Sequence, residues 1–229
     1  MRFISRVPVF VFLLVSQAAA QTVETAYPSM APLPQYLMPR DAEVSLARSA
    51  APKSVSDAAE TLVLTKGGFQ TAVRGTNGFV CMVARSWSAD WDDPDFWDPR
   101  VHAPICYNAL AAKSQVAATI KRTQVVLAGG SKTQIFNSIK EAVDSGELPT
   151  AEVGSMSYML SKRTYLSNRD GRWLPHLMFY ISEIDPKSWG AGLPESPIFG
   201  FHHPEEHLTV FVVPVSKWSD GTLATSKER

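Results

Sequence analysis

The sequence predicts an α+β domain: a mainly antiparallel sheet of about six strands, interrupted by two helices and stapled by one disulfide. Three observations lead there. Short runs rich in β-branched and aromatic residues, separated by Gly and Asn-Gly turns, fill residues 60–85 and return over 154–182 and 208–215. Between these blocks, residues 108–145 switch to helical spacing. The chain has two cysteines, Cys81 in the first β block and Cys106 just before the helical one.

Residues 21–50 come first as a proline-rich extended arm. Pro28, Pro32, Pro34 and Pro39 remove amide donors and resist both helix and sheet. Asp41 is placed to cap a short helix running to about Ser49. The domain proper is expected over 51–222. "TLVLT" reads as a strand, Lys66-Gly67-Gly68 as a turn and "FQTAVR" as a second strand. Gly75-Thr76-Asn77-Gly78 carries Asn-Gly, a strong hairpin signal, and predicts a three-strand antiparallel meander with "FVCMVARS". That third strand is apolar on both alternating faces, the mark of a strand covered on both sides.

Ala109, Ala112, Val116, Ile120 and Leu127 then recur at helical spacing. Ser131 with Gln134 has the form of a capping box, Ile135 and Ile139 line one face, and Gly146 stands where a C-cap glycine belongs. A second helix over about 132–145 follows. "GSMSYMLSKRTYL" and "RWLPHLMFYIS" predict two strands joined by a turn at 168–171, with Pro175 marking a bulge or an edge. "WGAGLPESPIFG" reads as loop, "LTVFVVPV" as the last strand, and 223–229 as a flexible tail.

The first twenty residues read as a secretory signal peptide. Arg2 and Arg6 precede an apolar stretch, and Ala18-Ala19-Ala20 offers a cleavage site. The apolar stretch is shorter than the roughly 20 residues a bilayer-crossing helix needs. An exported chain, periplasmic or extracellular, is the expectation, without a transmembrane segment after cleavage. In that compartment Cys81 and Cys106 are expected to pair, closing a loop that stabilises the fold by about 3 kcal/mol. Without residues 1–20 the chain carries 20 Lys and Arg against 22 Asp and Glu. No basic concentration suggests a nucleic-acid groove.

The stretches "KGGFQTAVRGTNGFVC", "PICYN", "WLPHLMFY", "WGAGLP" and "FVVPVSKWSDGT" together resemble an uncharacterised family of exported bacterial proteins. The resemblance covers most of the chain after the signal segment. It implies one domain over about 50–222, and it brings no activity, ligand or catalytic residue.

Three stretches could carry chemistry. His203-Pro204-Glu205-Glu206-His207 fits H-x-x-E-H, the letters of an inverted zinc peptidase. That chemistry needs both imidazoles on one helix, but the residues after His207 are strand formers. A looser divalent-metal site from His176, His202, His203, Glu206 and His207 remains open, and with it a metal-dependent hydrolase. The loop "SWSADWDDPDFWDPRVH" holds five aspartates and three tryptophans. Trp87, Trp91, Asp92, Asp95 and Trp97 offer a candidate ligand surface, suited to a glycan, a peptide or another envelope partner. Two other readings stay open: calcium binding, or a loop folded back with its tryptophans as buried anchors. Ser155 or Ser157 could meet His176 across strands, but no G-x-S-x-G elbow exposes a nucleophile. The reading these features favour is a non-enzymatic exported binding or envelope-associated domain, with no resident cofactor unless a divalent metal.

Overall fold

The computed structural model describes residues 27–167 and 173–225. The expected signal segment, the arm through residue 26, the expected turn at 168–171 and the last four residues lie outside them. Eight strands form one sheet: β1 (Glu60–Thr65), β2 (Gly68–Val73), β3 (Val80–Ala84), β4 (Ala103–Tyr107), β5 (Met156–Met159), β6 (His176–Ser182), β7 (Phe199–His203) and β8 (Leu208–Pro214). Their spatial order is β2-β1-β3-β4-β5-β6-β8-β7.

The expected six strands are all present, and β4 and β7 are added to them. Both were hidden by breakers. Pro104 sits inside β4, and β7 is a Phe-Gly-Phe-His-His run behind a Gly/Pro-rich loop. The antiparallel meander is corrected too. β2 pairs antiparallel with β1, but β3 crosses to the other side of β1 and runs parallel to it. The Asn-Gly hairpin does not form. Instead Asn77 donates from Nδ2 to the Val55 carbonyl at 2.7 Å and accepts from the Phe79 amide at 3.1 Å. Gly75 presses against the start of β1, where a Cβ would lie 2.1 Å from the Glu60 nitrogen. This crossing therefore depends on glycine as much as a hairpin turn would.

The helical block matches its prediction closely. Asn108 caps the first helix by accepting from the Ala111 amide at 2.9 Å. The helix runs as α3 (Ala109–Ala111), a π-turn (Ala112–Val116) and α4 (Ala117–Leu127), after α1 (Arg40–Arg48) and a short α2 (Lys53–Ser56). α5 (Lys132–Asp144) opens with the full Ser131–Gln134 capping box. Its burial of Ile135, Ile139 and Ala142 follows the sequence stripe.

Alternation assigns the two faces. On β3, Cys81 and Val83 pack under Leu46, Ala47 and Ala50 of the α1 region, while Met82 and Ala84 face Ala111 and Val116 of the helical block. The third strand is covered on both sides, as its sequence implies. Cys81 and Cys106 stand directly opposite on β3 and β4, and they form the disulfide. Cys106 thus lies on a strand of its own, just ahead of the first helix of the helical block. Farther along, Trp189 stacks on Phe211 at 4.3 Å. Gly200 lets this loop approach β7, since a Cβ there would come within 2.6 Å of Pro186.

The arm is less separate than its prolines suggested. Tyr36 is fully buried, and α1 starts after Pro39, so Asp41 lies in its first turn rather than capping it. Glu43 of α1 reaches the core and pairs with Arg85 at 2.9 Å, both side chains wholly buried. The same carboxylate oxygen accepts the Leu64 amide at 3.0 Å, and Arg85 Nε donates to the Tyr36 carbonyl at 2.8 Å. Burial pushes the Arg85 guanidinium below its ordinary value, and Glu43 opposes that shift.

Removing one member strands the other in a dry interior. Glu43→Ala is expected to cost about 3–5 kcal/mol of stability. Glu43→Met combined with Arg85→Met should cost less than the sum of the two single changes. Urea unfolding of the parent, Glu43→Ala, the two single Met variants and the double variant measures both, and strict additivity would count against the coupling.

Candidate functional site

A cavity of about 310 Å³ opens on the helical side of the sheet. Its floor comes from alternate residues of the strands, among them Ile105, Tyr107, Met159, Met178, Tyr180 and Val210. Ala118, Thr119 and Arg122 of α4 form one wall, and Ser88, Ala89 and Trp91 of the 85–102 loop another. The rim includes Trp173, Phe201 and His203. The π-turn lies beside this hollow and brings Gln115 to it.

Arg122 ties the walls together. Its side chain is 9% exposed, and that of its ion-pair partner Glu206 is 10% exposed. Its other terminal nitrogen donates to the Ala89 carbonyl at 3.1 Å and the Trp87 carbonyl at 3.3 Å. The guanidinium lies over the Trp91 ring, 4.0 Å from its centroid. One cation thus joins α4, the Trp/Asp loop and the turn before β8. Arg122 was not singled out from sequence, although a signal was there: it shares the buried helical stripe of Thr119 and Val126.

The polar floor is mostly self-satisfied. Tyr180 Oη lies 2.9 Å from Ser157 Oγ. Burial pushes the Tyr107 phenol up to about 12 and raises Tyr180 as well, so both stay neutral. Ser157 is therefore engaged by Tyr180, not by His176. His176 is 3% exposed. Its Nδ1 lies 2.7 Å from the Leu174 carbonyl, which can only accept, so Nδ1 carries the proton. Trp91 Nε1 and Ser88 Oγ are buried in the wall without a hydrogen-bond partner.

The Trp/Asp loop folds back on the domain. Trp87 is fully buried and donates from Nε1 to Thr123 Oγ1 at 3.0 Å. Trp97 is buried and meets Phe96 edge-on at 4.9 Å. Trp91 is half-buried in the cavity wall. Asp92 is exposed, while Asp95 is half-buried and its amide donates to Asp93 Oδ1 at 2.7 Å. Three of the five proposed surface residues thus pack inward, and Asp92 and Asp95 stand apart from them.

The H-x-x-E-H letters fall on a β-hairpin rather than a helix. A single 3₁₀ turn, Pro204–Glu206, links β7 to β8. His203 parts from the other two hairpin histidines, which share Glu183. His202 faces Glu183 at 3.3 Å, and His203 lies 3.7 Å from both Asp90 and Glu205. His207 contacts Glu183 and Asp144, each at 3.1 Å. Glu206 is held by Arg122, and His176 faces the cavity. Among the described residues, no group of three or more His, Cys, Asp or Glu side chains is gathered to hold a metal ion. No described helix is long and apolar enough to cross a membrane.

No protein-family model, curated protein or solved structure matches this chain.

The His207 contacts give a signed pH dependence. Glu183 and then Asp144 raise His207 above its ordinary 6.5. Its contribution is full below 6.5 and is lost as pH rises through the higher folded value. Glu183 and Asp144 are lowered, so their part is lost only as pH falls through their own depressed values. His207→Gln should therefore lower the urea midpoint most near about pH 5.5, with the gap closing by about pH 9. An equal gap at both pH values would rule the linkage out.

Proposed function

We propose that this is an exported, non-enzymatic binding domain that holds a small, largely apolar molecule in the cavity under the Trp/Asp loop. The observation carrying this reading is the cavity itself, about 310 Å³ of mainly apolar wall with a few inward polar groups. Small-molecule sites have this form, at volumes of about 300–1,000 Å³. An apolar ligand is favoured over a glycan because sugar stacking needs open aromatic faces, and Trp87 and Trp97 are buried. The Trp/Asp loop still matters, as the roof of the site rather than as its contact face.

Export is supported by two features. The Cys81–Cys106 bond is of the kind that persists in oxidising compartments. The N-terminal sequence has the layout of a cleaved secretory signal. A periplasmic or extracellular carrier or sensor of apolar small molecules fits both.

Titration of the protein, freed of its signal segment, with N-phenylnaphthylamine tests the reading. Saturable one-site binding with enhanced fluorescence is expected. Ala103→Trp, which fills the cavity from β4, should weaken binding about tenfold or more while keeping the circular dichroism of the parent. Absence of saturable binding, or binding indifferent to this filling, would count against the proposal.

A further inference from the structure

An inward acceptor on the cavity's sheet side, His176, narrows the chemistry of its ligand, provided the cavity is a binding site. His176 stands on β6 with Met159 opposite it on β5 and the Trp173 ring 4.8 Å away. Its Nδ1 proton is committed to the Leu174 carbonyl at 2.7 Å. Nε2 is therefore a lone-pair acceptor, and among the described residues no hydrogen bond is made to it. An acceptor facing an apolar-lined cavity loses its solvent partner when a ligand fills the space, and is then costly to leave unmatched. It can be satisfied by a ligand's O–H or N–H.

Charge points the same way. Both arginines lining the cavity are engaged: Arg85 pairs with Glu43, and Arg122 pairs with Glu206 while its other nitrogen donates to two carbonyls. A ligand carboxylate would enter without a free cation to meet it. A ligand ammonium would have to compete with Arg122 for Glu206, or leave the apolar floor for Asp90 on the loop, which His203 approaches at 3.7 Å. Burying either charge unpaired is expensive. Lowering of the His176 pKa by burial keeps the imidazole neutral and adds no cation of its own. The remaining surface near His176 is apolar, with Met178, Leu166, Val212 and Phe201.

We infer that the cavity takes an uncharged amphiphile of fatty-alcohol type, whose hydroxyl donates to His176 Nε2 while its chain lies along the apolar floor. The hydroxyl sets orientation, and the chain supplies most of the affinity through removal of apolar surface from water.

Displacement of bound N-phenylnaphthylamine by four probes of equal chain length tests this at neutral pH. The probes are octanol, octyl methyl ether, octanoate and octylamine. Octanol is expected to displace the dye about tenfold better than the ether, which accepts but cannot donate, and better than either charged probe. His176→Phe should remove the advantage of octanol over the ether and leave ether binding within about twofold. His176→Gln, which keeps an acceptor, should retain part of it. In the unaltered protein, octanol should shift the His176 Nε2 nitrogen resonance toward the hydrogen-bonded value, a readout independent of any variant. Equal binding of ether and alcohol, preference for octanoate, or an unmoved Nε2 resonance with octanol bound would overturn the inference. If neither dye nor any probe binds, the cavity reading itself fails, a different result from the loss of alcohol preference.

Discussion

The buried pair of Glu43 and Arg85 is the constraint from which the rest of the molecule follows. β1 and β3 pair at only two positions, Glu60 with Val80 and Thr61 with Cys81. Beyond that point the sheet lacks backbone partners across the seam. Glu43 enters there from α1 and takes the Leu64 amide of β1, while Arg85 donates to the Val83 carbonyl of β3. Side chains thereby close a gap that backbone ladders leave open. An ion pair so deep gains little net energy, because desolvation offsets the attraction. Its use here is geometric, since it fixes α1, the Tyr36 segment, β1 and β3 against one another.

That geometry is passed to the cavity through the chain itself. Arg85 follows β3 directly and begins the long loop to β4, so its fixation sets the direction in which the loop leaves. The loop is then held by further polar contacts. Asp93 and Asp98 accept backbone amides two residues ahead, at 2.7 and 2.8 Å, and Asp98 also pairs with Arg100. Two of the loop's five aspartates thus serve the path of the chain as turn-forming carboxylates. Trp87, Phe96 and Trp97 anchor the loop on the aromatic cluster beside α4 and α5. At its near end Arg122 carries the roof over to Glu206.

Local features were legible in the sequence and long-range ones were not. The capping box of α5, the two-sided apolar character of β3 and the disulfide all depend on residues whose role is set nearby or by compartment. The parallel crossing of β3 depends on Gly75 meeting Glu60 across fifteen residues, which a local Asn-Gly signal overrides in any reading by pattern. His176 was singled out by type, but for metal binding. Its actual setting, neutral with one nitrogen committed to Leu174, depends on the sheet register that places it over the cavity. Arg122 and Glu206 are 84 residues apart, and nothing in the spacing of either suggests the other.

The same architecture explains how so large a hollow persists in a domain of this size. Closed and dry, a cavity of about 310 Å³ would cost about 7 kcal/mol at roughly 24 cal/mol per Å³, comparable to the whole net stability of a typical domain. Apolar packing alone would collapse such a space. Here the roof is suspended from polar fixtures of defined length, the Arg122 fork on one side and the loop's own turns on the other. The walls are thus kept apart, and the rim at Trp173, Phe201 and His203 gives access to solvent. Water against Met178, Val210 and Val212 is a poor partner, and a ligand chain is a better one. A molecule that replaces that water stabilises the folded state by mass action. The polar suspension of the roof and the apolar character of the floor therefore work together: the first keeps the space open, and the second makes its occupation favourable.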